Sequence, residues 1–143
     1  MYTDRHRRRF ATDQALGAIL RQAGIDKQSA ILITGPAGLA TLLWFCRHDY
    51  QHVGYARTGR APANDSDLLL VPQTCDALGL TRILEEGPHV RQGGVLIVQT
   101  PEPEGSTGVD PIHRLLRRFG FRIERCLHGR HREMHVARRI GRR

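Results

Sequence analysis

Regular patterning of apolar and polar positions begins at Asp13. Leu16, Ile19, Leu20 and Ala23 follow the i, i+3, i+4, i+7 spacing of an amphipathic helix. Thr12 or Asp13 can cap its start, and Gly24 follows its last turn. Residues 30–34, Ala-Ile-Leu-Ile-Thr, form a short β-branched run stopped by glycine, which predicts a strand buried on both faces. Gly35-Pro36-Ala37-Gly38 makes a turn into a helix over 39–48. Leu39, Leu42, Leu43 and Cys46 are expected on one side of it, with Trp44 and Phe45 widening that face. Residues 51–55 read as a second strand, and 57–66 as a loop rich in Gly, Pro and Asn. A third strand spans 67–71 and is ended by Pro72.

The second half continues in the same style. A helix is expected from about Cys75 or Asp76 to Arg91, made irregular by Gly79 and Gly87-Pro88. After Gly93-Gly94, residues 95–99 form a fourth apolar strand, followed by an acidic loop over 101–108. Pro111 suits the first turn of a helix ending at Phe119-Gly120. Residues 121–127 and 131–138 alternate apolar and polar positions around Gly129-Arg130, as a β-hairpin does. The order is therefore α-β-α-β-β-α-β-α-β-β. Strands that alternate with helices predict a mostly parallel sheet, and the final hairpin adds an antiparallel edge.

Composition narrows the class. A chain of 143 residues is the size of one ordinary domain, and 40% hydrophobic residues is normal for a packed core. Residues 1–12 read as a basic lead-in, 13–138 as the domain and 139–143 as a basic tail. No apolar stretch approaches the roughly 18 residues of a bilayer span. The basic N-terminus lacks the apolar segment of a secretory signal, so no membrane partner and a cytoplasmic location are expected. The net charge is +8, and every basic residue except Lys27 is arginine. The basic tails could contact nucleic-acid phosphates, although the aromatics Tyr2, Phe10 and Phe121 are too sparse for a stacking platform. Cys46, Cys75 and Cys126 are far apart and odd in number, so they read as small buried hydrophobes rather than disulfides.

Four segments together resemble the Rossmann-fold, S-adenosylmethionine-dependent methyltransferases over residues 13–138. Residues 31–38 stand where that family has its first strand and glycine-rich loop. Residues 67–72 resemble its fourth strand and the loop after it. Residues 84–98 resemble the helix and glycine pair leading into its fifth strand. Residues 115–121 with the hairpin to Arg138 resemble its C-terminal end. The resemblance implies a three-layer α/β sandwich with S-adenosylmethionine, or a related nucleoside, at the carboxyl edge of the sheet.

The sequence also departs from the family. Ile33 stands where an acid usually precedes the first glycine, and Ala37 stands where a second glycine is usual. Tyr55-Ala56-Arg57 replaces the acid that holds the ribose hydroxyls, and a strand–helix unit between Tyr55 and Asp67 is absent. These departures predict that the architecture is kept while the cofactor grip and methyl transfer are reduced. A non-catalytic subunit, an oligomer or a basic nucleic-acid-binding domain remain open as alternatives.

The candidate cofactor residues are Thr34, Gly35, Pro36, Ala37, Gly38, Tyr55, Arg57, Pro72 and Gln73. The turn offers free N–H groups at a helix start, and glycine lets a ligand approach the backbone. Arg57 could accept a 2′-phosphate. Gln73 could position a methyl acceptor, but an amide is no base, and 71–74 supply no catalytic acid or base. Cys126, His128, His131 and His135 match no standard zinc spacing. The glutamate of His131-Arg132-Glu133-Met134-His135 is displaced from H-E-x-x-H. In a hairpin these side chains would scatter along exposed faces, so no metal site is expected.

Overall fold

The computed structural model describes residues 13–35, 38–56, 65–86, 90–101, 111–129 and 131–141. The elements follow the expected order: α1 (Asp13–Gln22), β1 (Ala30–Thr34), α2 (Gly38–Arg47), β2 (His52–Ala56) and β3 (Ser66–Thr74). Then come α3 (Ala77–Glu86), β4 (Val90–Pro101), α4 (Pro111–Arg118), β5 (Phe121–Gly129) and β6 (Arg132–Arg139). The six strands form one sheet in the order β2-β1-β3-β4-β6-β5. The pairs β1–β2, β1–β3 and β3–β4 are parallel; β6 is antiparallel to β4 and to β5. Among the described residues, no helix is long and apolar enough to cross a membrane.

Each face of the sheet carries two helices, because the central strands bury both sets of alternating side chains. On one face Leu16, Ile19 and Leu20 of α1 and Phe45 of α2 pack on Ile31, Ile33, Leu68, Leu70, Val95 and Ile97. On the other, Leu80 of α3 and Ile112, Leu115 and Leu116 of α4 cover Leu69, Val71, Leu96, Val98 and Ala137. This is the three-layer sandwich that the residue pattern predicts.

Several boundaries and faces differ from the sequence reading. The third strand runs through Pro72 to Thr74, because a register shift against β4 between Val71 and Thr74 spares the proline a ladder N–H. The third helix stops at Glu86, and Arg91 lies in β4, which starts at Val90. Gly93, at φ +83°, kinks β4 there, and a Cβ on Gly94 would stand 2.5 Å from Val90 Cγ1. The glycine pair is therefore a bulge within a strand rather than its border. In α2 the expected face is rotated: Leu39 and Leu43 are exposed, Leu42 is half-buried, and Gly38 and Phe45 point inward. Cys46 is exposed, and Cys75 and Cys126 are half-buried rather than in the core.

Candidate functional site

The strand order reverses between β1 and β3, and at that point the carboxyl ends of an open parallel sheet leave a natural crevice. A cleft of about 290 Å³ occupies it, formed by Thr34 and Gly35 after β1, 71–75 excluding Pro72, and Gly79, Arg82 and Ile83 of α3. Its size lies at the lower end of the range of about 300–1,000 Å³ usual for small-ligand sites. The start of α3 is built to face it. Asp76 Oδ1 accepts the N–H of Gly79 at 2.8 Å, the geometry of a helix N-cap. The Cys75 N–H donates to the Gln99 carbonyl at 2.9 Å, tying the loop to β4.

The two described glycines of the turn have different jobs. Gly35 adopts φ +109°, where a side chain would be strained, and a Cβ there would meet nothing within 4 Å. Its backbone faces the open cleft. Gly38 has no positive φ; it is a glycine for space. A methyl at Gly38 would overlap the Tyr55 ring, with Cδ1 2.7 Å away, and would press on Ile33 Cγ2 at 3.1 Å. Tyr55 lies across the turn and its hydroxyl donates to the Gly35 carbonyl at 2.7 Å. The aromatic ring at the end of β2 thus covers the turn at the position where the resemblance places a ribose-binding acid.

The remaining sequence candidates divide. Thr34 borders the cleft but its hydroxyl donates to the Ala56 carbonyl at 2.8 Å, locking the end of β2 to β1. Gln73 lines the cleft and is exposed. Pro72 does not line it; its carbonyl accepts from Gln99 Nε2 at 3.0 Å. Pro36, Ala37 and Arg57 lie outside the described residues. The structure adds Thr74, Cys75, Gly79, Arg82 and Ile83 to the site. Their signal in the sequence is Asp76 as an N-cap, which sets α3 to begin at the cleft.

The chemistry of the lining is mild. Burial pushes the Cys75 thiol up to about 11, with Asp76 adding to the shift, so it is a neutral thiol at neutral pH and no ready nucleophile. Among the described lining residues there is no carboxylate and no imidazole, and Arg82 is the cation. A larger hollow of about 650 Å³ opens at the opposite, amino edge of the sheet. Its walls are held by their own contacts. Trp44 stacks on His48 with ring centroids 4.2 Å apart, and Lys27 donates to the His48 carbonyl while lying over the Tyr50 ring. Of these two hollows, the smaller one meets the glycine turn and the larger does not.

By sequence, no family model and no curated protein matches the chain. By structure, the chain has the fold of class I S-adenosylmethionine-dependent methyltransferases. An inferred methylase from Haemophilus influenzae superposes with a TM-score of 0.60 at 6% identity, covering 90% of this chain and 98% of that one. An inferred methyltransferase from Pseudomonas syringae gives 0.57 at 14% identity, over 97% and 100% of the two chains. A SAM dependent methyltransferase from Aquifex aeolicus gives 0.53 at 13% identity, over 87% and 89%.

Proposed function

We propose that the chain binds S-adenosylmethionine or a related nucleoside in the cleft between β1 and β3, whose described lining residues include no general base. The observation that carries this reading is Gly35, whose positive φ leaves open space at its Cα in a cleft at the reversal point of the sheet. The donor set fits the ligand class in part. Gly35 lets a ligand approach the main chain, Val71 and Ile83 offer apolar walls, and Arg82 can pair with a carboxylate or phosphate. The ribose diol finds no carboxylate at the end of β2, because Tyr55 and Ala56 stand there. Affinity is therefore expected to be modest.

S-adenosylmethionine, when bound, supplies an electrophilic methyl group. The residues of the chain contribute binding and orientation: Gln73 can hold an acceptor by hydrogen bonds, and with Cys75 a neutral thiol the described lining residues supply no general base.

Thermal unfolding with S-adenosylmethionine and with its demethylated product tests the reading. Ligand at a hundredfold over its dissociation constant adds about 2.7 kcal/mol. For a chain of this size each kcal/mol raises the melting temperature by roughly 2–4 °C. Substituting Arg82→Ala should reduce the shift. An unchanged melting temperature at millimolar concentrations of both compounds would overturn the proposal.

A further inference from the structure

At the carboxyl end of β4, side chains from four elements converge on the sheet face that α4 covers. Cys126 of β5 and His135 of β6 are directly opposed in the ladder, and His128 is opposed to Glu133. Thr100 of β4 is opposed to Glu133 from the other side. His113, in the first turn of α4, places its ring edge-to-face on that of His135, with centroids 5.2 Å apart. His135 is fully buried, Glu133 is buried and Cys126 and His113 are half-buried. A regular hairpin would not produce this set. A register shift between Ile123 and Arg125 inserts Glu124 as an extra residue. The bulge changes the phase of β5, so Cys126 joins the face of Ile123 instead of the opposite one.

We propose that His113, Cys126 and His135 bind a zinc ion. One ligand atom from each of the three lies within 4.8 Å of the others. Cys126 Sγ stands 3.7 Å from His135 Nδ1. Zinc bonds of about 2.3 Å to sulfur and about 2.0–2.1 Å to nitrogen, at a tetrahedral angle, separate those two atoms by about 3.6 Å. The sulfur is also 3.6 Å from Glu133 Oε2. The other ring nitrogen of His135, Nε2, meets Thr100 Oγ1 at 2.9 Å, the outer partner that a ligating histidine ordinarily has. A sulfur and two imidazoles favour zinc over magnesium or calcium, which take oxygen sets. A divalent cation would also offset the cost of placing a thiol and two imidazoles on a face that is otherwise apolar. Binding displaces the thiol proton of Cys126 to solvent.

Cobalt(II) titration of the full chain under reducing conditions tests the site. The expected result is a near-ultraviolet thiolate-to-cobalt band that saturates at one equivalent, with visible bands of tetrahedral intensity, both displaced by zinc. Cys126→Ser should abolish the thiolate band while far-ultraviolet circular dichroism stays native. Thr100→Val should weaken metal binding about 10–100-fold through the outer partner of His135. Should Cys126→Ser fail to fold, His113→Gln on α4 replaces it, with at least a tenfold loss of affinity expected. A folded wild-type chain with no thiolate band overturns the proposal, as does a band that persists in Cys126→Ser or an affinity unmoved by His113→Gln.

Discussion

Replacing Gly38 by alanine should cost markedly less stability once Tyr55 is removed. In the wild-type chain the new methyl takes the space of the Tyr55 ring, whose Cδ1 would be only 2.7 Å away. Tyr55 is 43% exposed, so the ring can swing outward rather than force the backbone apart. The cost is then its hydrogen bond to the Gly35 carbonyl, worth about 0.5–1.5 kcal/mol, and its contact over the turn. Against this, alanine restricts the unfolded chain more than glycine does, a gain of about 0.4–1 kcal/mol at a compatible φ. The net in the wild type is a small loss, up to about 1 kcal/mol. In a Tyr55→Ala background the ring is gone and the gain remains, so the same change should cost less. The press on Ile33 Cγ2 is common to both backgrounds and cancels in the cycle. The expected coupling is about 1–2 kcal/mol, beyond the roughly 0.3–0.5 kcal/mol by which independent sites fail to add. Urea unfolding of the four proteins, compared at equal m-values, measures it. A Gly38→Ala effect of the same sign and size in both backgrounds would refute the claim that this glycine exists to accommodate Tyr55.

Other outcomes follow from the same geometry. Burial raises the Asp67 pKa, but the Ala30 N–H at 2.7 Å and the Arg91 guanidinium outweigh it and hold the carboxyl below its ordinary value. The hydrogen bond from Arg138 does the same for Glu124. Both groups therefore stabilise the fold fully above the ordinary carboxylate pKa of about 4, and lose that contribution as the pH falls through their depressed values. Asp67→Asn with Glu124→Gln should flatten the acid limb of stability against pH; an unchanged limb contradicts this. Arg138 donates at 2.8 Å to Glu124 Oε2, the Gly93 carbonyl and the Ala23 carbonyl. Arg138→Ala should cost about 1.5–3 kcal/mol in chemical denaturation, and lysine should not restore it, lacking the planar fork. Gly17, inside α1, has room for a methyl, with Arg21 Nη1 3.7 Å away; Gly17→Ala should raise stability by about 0.5–1 kcal/mol. Iodoacetamide near neutral pH should label exposed Cys46 well before Cys75, as peptide mass mapping over time would show.

The order of the ten elements was legible because each carries a local signal: period 3.6 at Leu16–Ala23, continuous apolar runs at β1 and β3, Pro111 in the first turn of its helix. What escaped was set by distant partners. Nothing near Gly38 announces that Tyr55, from another strand, will lie over it. Pro72 marks a strand end only if the chain stays in register with β4, and it does not. The rotation of α2 follows from Phe45 seeking the sheet, a tertiary choice among several apolar sides. The gathering of Cys126 with His135 was hidden for a plainer reason. Alternation assumes that every residue counts once, and Glu124 is an uncounted one.

That extra residue divides β5 into two parts. The base, Phe121 and Ile123, belongs to the apolar floor under α4, while the tip carries Cys126 and His128. The tip is tied to both layers: Leu127 packs against the cluster under α1, while Cys126 faces the buried His135 on the side of α4. A single inserted residue thus lets one edge strand close the sheet against helices on its two faces.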